Sequence, residues 1–179
     1  MTKTIRKLFW VWQFEEEEQW LNEMAAKGLC LVSVGFCRYT FEECEPGEYG
    51  ICMQLLKQCP THPESEQYID FLENTGAQHV GTFFRWVYFR RKSADGPFEL
   101  FSDNASRAKY LTQVIRFILL ITAMNFLFGI DNLILFFTMQ NDLSLLGLLN
   151  IILACFGAFG IYRLNKKRKK IEMDGQLFE

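Results

Sequence analysis

Between Phe117 and Tyr162 the chain carries no Lys, Arg, His or Glu, and its only charged side chains there are Asp131 and Asp142. A stretch of that length cannot be hidden in one small soluble core. Leu143 to Tyr162 is a run of 20 uncharged residues, and at about 1.5 Å per residue it reaches about 30 Å, the thickness of a bilayer core. The preceding run, about 114–136, is also long enough to span. A short connection over Thr138–Asp142 makes the two spans (about 114–136 and 143–162) an antiparallel hairpin. These features exclude a wholly soluble protein. They also exclude a polytopic transporter built from this chain alone, since there is length for two spans only.

Basic residues set the expected orientation. Arg107, Lys109 and Arg116 flank the approach to the first span, and Arg163, Lys166, Lys167, Arg168, Lys169 and Lys170 follow the second. The intervening turn has none. The positive-inside rule therefore places both termini in the cytoplasm of a two-span cell-membrane protein. The same basic run in the tail, 164–179, would be drawn to anionic lipid head groups. The N-terminal run before the glutamates is too short and lacks a cleavage site, so a signal peptide is not expected. Residues 1–110 hold 12 basic and 16 acidic side chains, which argues against nucleic acid as a partner.

The part before the spans, 1–105, reads as a cytoplasmic α+β domain. Residues 5–14 suit a strand covered on both faces. Glu15 to Lys27 read as a helix with its glutamates solvated in the first turn. One long strand is expected over 29–42, a turn at Glu45–Glu48, and a strand over Tyr49–Leu56 that pairs with it as a hairpin. A second helix over Glu64–Asn74 and a strand over 78–91 follow. Asp95-Gly96 suggests a turn into a short strand, Phe98 to Phe101. The order is a ferredoxin-like βαββαβ antiparallel sheet with an added hairpin strand, followed by the two-helix transmembrane hairpin. Asp103 is placed to cap a helix that enters the bilayer without a break.

The stretches Phe9-Trp10-Val11-Trp12, Glu18-Gln19-Trp20-Leu21-Asn22-Glu23-Met24-Ala25-Ala26-Lys27-Gly28, Leu31, Tyr39-Thr40-Phe41 and Pro46-Gly47-Glu48-Tyr49 resemble an uncharacterised bacterial membrane-protein family, domain of unknown function 2812. The resemblance covers roughly residues 5–105 and extends to the trailing spans. It implies a bacterial cytoplasmic-membrane protein and an association with PadR-type transcriptional regulators. It carries no catalytic residues.

No catalytic constellation is visible. Six cysteines at 30, 37, 44, 52, 59 and 155 form no Cys-x-x-Cys pair, so neither a metal site nor a cofactor is expected, and in a reducing cytoplasm they read as small buried hydrophobes. His62 and His79 are poorly placed for an axial haem ligand. The aromatics are more telling. Two helices cover one face of such a sheet, and Trp10, Trp12, Tyr39, Trp86 and Tyr88 are candidates for an apolar interaction face that docks a second copy or a protein partner. The leading expectation is a membrane-anchored, non-catalytic interaction or regulatory module. The alternatives are a membrane-tethered small-ligand sensor, with Arg38 and Arg85 as polar groups of its pocket, and an accessory subunit of a membrane complex. Within the spans, Asn125 and Asn150 lie at similar depths and could share a hydrogen bond, and Ala154, Gly157 and Ala158 offer a small surface for close packing. The orientation has a direct test: a periplasm-dependent reporter is active when fused in the 138–142 turn and silent when fused after residue 179. The reverse pattern overturns the topology.

Overall fold

The computed structural model describes residues 2–96, 98, 101, 103–139 and 144–176. It divides into two units, Met1–Leu100 and Phe101–Glu179. The first is α+β: β1 (Thr2–Arg6), α1 (Phe14–Ala26), β2 (Leu29–Gly35), β3 (Arg38–Glu43), β4 (Tyr49–Leu55), α2 (Pro63–Asn74), β5 (Gln78–Phe83) and β6 (Trp86–Lys92). The second holds α3 (Asn104–Met139) and α4 (Ser144–Gln176).

All strand ladders are antiparallel, as the sequence suggests, but the strands form two three-stranded sheets, ordered β1-β3-β2 and β4-β6-β5. These are two copies of one β-α-β-β unit rather than the βαββαβ sheet expected. The copies match at a spacing of 48 residues. Both helices stop before a positive-φ glycine, Gly28 or Gly76. The second strand of each copy is irregular at the same place, Leu31/Ser33 and His79/Gly81. Both hairpins close through two residues, Phe36-Cys37 and Phe84-Arg85.

Those turns explain the largest misreading of the sequence. The expected long strands 29–42 and 78–91 are each a hairpin. A two-residue hairpin turn ordinarily announces itself with Asn-Gly or Asp-Gly. Here residues other than glycine adopt the left-handed backbone instead, Cys37 at φ 49° and Phe84 at φ 54°. The first strand, expected over 5–14, lies instead at Thr2–Arg6, and Val11–Gln13 form a 3-10 turn that leads into α1. The pairing expected between 29–42 and Tyr49–Leu56 does not form, since β3 and β4 lie in different sheets. The expected strand Phe98–Phe101 falls largely outside the described residues.

Helix α1 is the central packing element. Phe14, Glu17, Leu21, Met24 and Ala25 are its buried side chains, spaced for one helical face. Its rings and aliphatic groups meet both sheets: Trp20 lies edge-on to Tyr39 and Phe41 of β3, and Phe14 stacks on Trp86 of β6. Residues Trp86 to Phe89 of β6 are buried in succession. Val87 and Phe89 join Leu56, Leu72 and Ala77 beneath α2, while Trp86 and Tyr88 turn to α1. The face expected to stay uncovered is therefore closed by the helix of the other repeat.

α1 also secures the open edge of the second sheet. Among the described residues β4 pairs with β6 alone, and no strand lies along its other edge. The Asn22 amide completes a two-point match with Ile51, accepting from its N–H at 2.9 Å and donating to its carbonyl at 2.7 Å. Glu18 Oε2 accepts from Met53 N at 2.7 Å. Side chains thus stand in for the missing neighbouring strand. A salt bridge adds a tie between repeats: Arg90 donates to Glu42 Oε1 at 2.8 Å and to Leu31 O at 3.3 Å.

In the second unit, α3 has 36 residues and α4 has 33. At about 1.5 Å per residue they run to about 54 and about 50 Å, well beyond a bilayer core. Both are long and apolar enough to cross a membrane. The sequence expectation of an unbroken helix from Asp103 holds: its carboxylate accepts from Ser106 N at 2.6 Å and from Ser106 Oγ at 2.9 Å, the N-cap arrangement. The basic tail is no loose tail, since α4 continues to Gln176, and Arg168 donates to Thr112 Oγ1 on α3 at 3.3 Å. Gly157 packs directly against α3; a Cβ there would overlap Thr122. Ala154 is buried in the helix pair, whereas Ala158 points outward. Asn125 donates to Ile121 O of its own helix at 2.9 Å, and no hydrogen bond joins it to Asn150 among the described residues.

The Asn22 match gives a quantitative expectation. Asn22→Ala leaves the Ile51 N–H and C=O facing a half-buried edge without partners, a cost of about 2 kcal/mol. Thermal unfolding should shift down accordingly and amide exchange at Ile51 should accelerate; an unchanged melting point overturns this role.

Candidate functional site

The least expected feature of the N-terminal unit is Glu17. The glutamate run reads from sequence as a solvated helical turn. Instead Glu17 is 7% exposed. Its position answers why: with Phe14, Leu21 and Met24 it follows the apolar stripe of α1, and that spacing is legible in the sequence. Two phenols converge on one of its oxygens. Tyr39 of β3 donates to Oε1 at 2.8 Å and Tyr88 of β6 at 2.6 Å. One tyrosine comes from each repeat. No lysine or arginine among the described residues pairs with the carboxylate.

Burial pushes the Glu17 carboxyl above the usual carboxylate range, and the two phenol hydrogen bonds pull back against that shift. Burial and the neighbouring Glu17 charge push the Tyr39 phenol up, so it stays a donor throughout the working pH range. Around the carboxylate the walls are aromatic. Phe14 stacks on Trp86 at 5.4 Å between ring centres, and Trp20 meets Tyr39 at 5.1 Å. Nearer the surface, Phe9 lies 5.7 Å from Trp20 and 6.4 Å from Tyr39. The Lys7 ammonium sits over this pair, 4.6 Å from the Phe9 ring and 4.5 Å from the Trp20 ring.

The residues expected to form one interaction face are separated. Tyr39, Trp86 and Tyr88 are core residues. Trp10 and Trp12 stack on each other at 5.4 Å in the 3-10 turn, with Trp10 39% exposed. Of the two arginines expected in a ligand pocket, Arg85 is engaged with backbone, donating to Leu56 O at 3.0 Å through Nε and also to Lys57 O. Arg38 is exposed at the start of β3. The most exposed aromatic rings of this unit lie instead at the two hairpin tips, with Leu8 and Phe71 also exposed elsewhere. Phe36 is 78% and Phe84 75% exposed, at equivalent places in the two repeats. Phe83 joins them, 6.0 Å from Phe36 and 5.0 Å from Phe84.

Cysteine chemistry departs from expectation. Cys30 and Cys44 form a disulfide with Cα atoms 6.0 Å apart, where reduced, separate thiols are expected. It ties the start of β2 to the end of β3. Cys37, Cys52, Cys59 and Cys155 are free. No group of three or more His, Cys, Asp or Glu side chains among the described residues could hold a metal ion. His62 Nδ1 accepts from Glu64 N at 3.3 Å as the cap of α2, and His79 bonds Thr82 Oγ1 at 2.9 Å.

Fold and site together define an α+β domain of two β-α-β-β repeats, with a phenol-bound carboxylate between them, in a chain that also carries two membrane-length helices. The chain belongs to the family described as "Protein of unknown function (DUF2812)", whose model matches residues 13–123, more than half its length. No curated protein and no solved structure matches it.

The raised Glu17 carboxyl has a definite sign in stability. The folded state holds the proton more tightly than the unfolded chain. Stability is therefore greatest in and below the usual carboxylate range and falls as pH rises through the elevated value. Unfolding measured from the usual carboxylate range upward should show this loss, and Glu17→Gln, which keeps an oxygen for both phenols, should flatten that part of the slope. A slope identical in the variant removes Glu17 as its source.

Proposed function

We propose that the chain is a membrane-anchored, non-catalytic regulatory module whose N-terminal unit pairs with a second copy of itself through the hairpin tips. The observation that carries this reading is the cluster of Phe36, Phe83 and Phe84. Two of these rings are mostly exposed, and each turn that holds them out contains a non-glycine residue in the left-handed region, Cys37 or Phe84 itself. An exposed aromatic cluster is costly in water and self-complementary. Three rings cannot supply the roughly 800 Å² per partner of a standard interface. Anchoring by two membrane spans compensates, because confinement raises the effective concentration of one copy around another.

In this proposal the spans are α3 and α4, and both termini lie in the cytoplasm. The basic residues beside the spans, with none expected in the turn, carry the orientation. The Cys30–Cys44 bond pulls the other way, since disulfides persist mainly in oxidising compartments. The flanking charges weigh more: they bear on insertion itself, while two adjacent cysteines can be held as thiols by cytoplasmic reductants. The basic helix after Tyr162 then faces the anionic inner leaflet. Association with a PadR-type regulator rests on the family resemblance alone.

A second reading is a small-ligand sensor, favoured by the Glu17 carboxylate held between the repeats and its aromatic surroundings. The pairing proposal is tested by the mass of the detergent-purified full-length chain. Wild type should run as a dimer that dissociates on dilution, and Phe36→Ser with Phe84→Ser should give monomer with an unchanged melting point. A monomeric wild type, or a variant that dimerises equally well, overturns it.

A further inference from the structure

The two repeats are joined in one direction only. Helix α1 of the first grips the outer edge of β4 in the second: Asn22 bonds the Ile51 N–H and C=O, and Glu18 accepts from Met53 N. A shift of 48 positions carries Glu18 to Glu66 and Asn22 to Asp70, both on α2. Both are exposed, and among the described residues neither side chain has a partner. α2 carries four acidic side chains and no basic one. The second repeat thus presents the gripping groups of the first with nothing in their grip.

A matching edge exists on the other repeat. β1 pairs with β3 alone among the described residues. Thr2 stands opposite Glu42 and Thr4 opposite Thr40, just as Ile51 stands opposite Arg90 and Met53 opposite Tyr88. Thr2 and Thr4 are therefore the counterparts of Ile51 and Met53. The Lys7 N–H donates to Cys37 O at 3.2 Å, the next pair of the same ladder. Bonded and unbonded pairs alternate along an antiparallel ladder, so the N–H groups of Thr2 and Thr4 point away from β3. Close by, Arg6 lies directly opposite Arg38, and both are exposed. Like charges facing each other across a strand pair repel, and no carboxylate among the described residues pairs with either.

We propose that α2 of one copy docks on the β1 edge of a second copy, Glu66 accepting from Thr4 N–H and Asp70 from Thr2 N–H, with Arg6 and Arg38 as the opposing charge. The contact repeats between chains what α1 does to β4 within one. Where α1 has the amide of Asn22, α2 has a carboxylate, whose hydrogen bonds are charge-assisted and stronger; a contact unaided by chain connectivity needs that gain. This goes beyond the pairing of hairpin tips. Tips join like to like and close a dimer, whereas helix to edge is head-to-tail and continues into a row or closes as a ring. Anchoring in one membrane raises the effective concentration for both contacts.

The test reconstitutes the full-length chain in phosphatidylcholine vesicles as an equal mixture of unlabelled and heavy-isotope-labelled protein. A carbodiimide then joins carboxylates to amines in direct contact, and mass spectrometry reads the joined peptides. Lys3, between Thr2 and Thr4, should be joined to Glu66 or Asp70 of the opposite isotope, less so at high salt, and the product should persist in Phe36→Ser with Phe84→Ser. Two edge variants keep all three reacting groups. Thr4→Pro removes only an N–H that faces away from β3, a position where an edge strand tolerates proline; Arg6→Glu with Arg38→Glu reverses the charge. Each should lower the yield at least about tenfold with an unchanged melting point, as loss of a charge-assisted pair implies. Joined peptides from within one chain only, none at all, or a yield indifferent to both edge variants overturns the proposal. A product lost with the tip substitutions also overturns it, and leaves tip pairing standing.

Discussion

A carboxylate with almost no access to water, held by hydroxyls from two separate sheets, is the constraint around which the N-terminal unit is arranged. Glu17 sits on α1, Tyr39 on the central strand of one sheet and Tyr88 on the central strand of the other. Burying an acid is tolerable only if its hydrogen-bonding capacity is met. The three elements must therefore come together or not at all. The same helix carries Asn22 and Glu18 to the bare edge of β4. Polar side chains on α1 thus fix where the second repeat stands, and the aromatic packing of Phe14 and Trp20 fills what lies between.

The duplication makes the asymmetry plain. In α2 the position equivalent to Glu17 is Ser65, which is also buried. Asp70 stands where α1 has Asn22, and among the described residues it makes no hydrogen bond to a strand edge like that of Asn22. One repeat has kept the backbone plan, and the other adds the groups that tie the pair. α2 serves mainly as a lid over Leu56, Val87 and Phe89. The membrane-length helices obey a different rule. Their outward residues are apolar over long runs, including Leu120, Phe126, Leu127 and Leu149, and they meet through close approach at Gly157 and at Gly129, where a Cβ would come within 2.6 Å of Ile151. Small residues at these two points let the helix backbones approach closely.

Much of this was legible beforehand. The α1 and α2 boundaries, the Asp103 cap and the two long apolar helices follow from local patterns: glycine stops, apolar periodicity and charge-free length. The hairpin turns were not, because Phe36-Cys37 and Phe84-Arg85 carry none of the residues that usually mark a turn. The repeat was visible in principle. Trp20 and Tyr68, Leu21 and Ile69, Met24 and Leu72, Gly28 and Gly76, Val32 and Val80, Phe36 and Phe84, and Phe41 and Phe89 each stand 48 positions apart, but matched pairs so spread out carry little signal one at a time. Glu17 lay on the apolar stripe, and its charge, beside three other glutamates, concealed that.

The sequence by itself determined the elements and the existence of two chemically distinct parts, since helix periodicity, strand composition and uninterrupted apolar length act over a few neighbouring residues. The tertiary structure alone decided which sheet face α1 would close, which glutamate of four would be buried, and that Cys30 meets Cys44. Those outcomes depend on groups brought together from distant positions, where the free energy of a buried polar or aromatic contact is set by the partner and not by the neighbours in the chain.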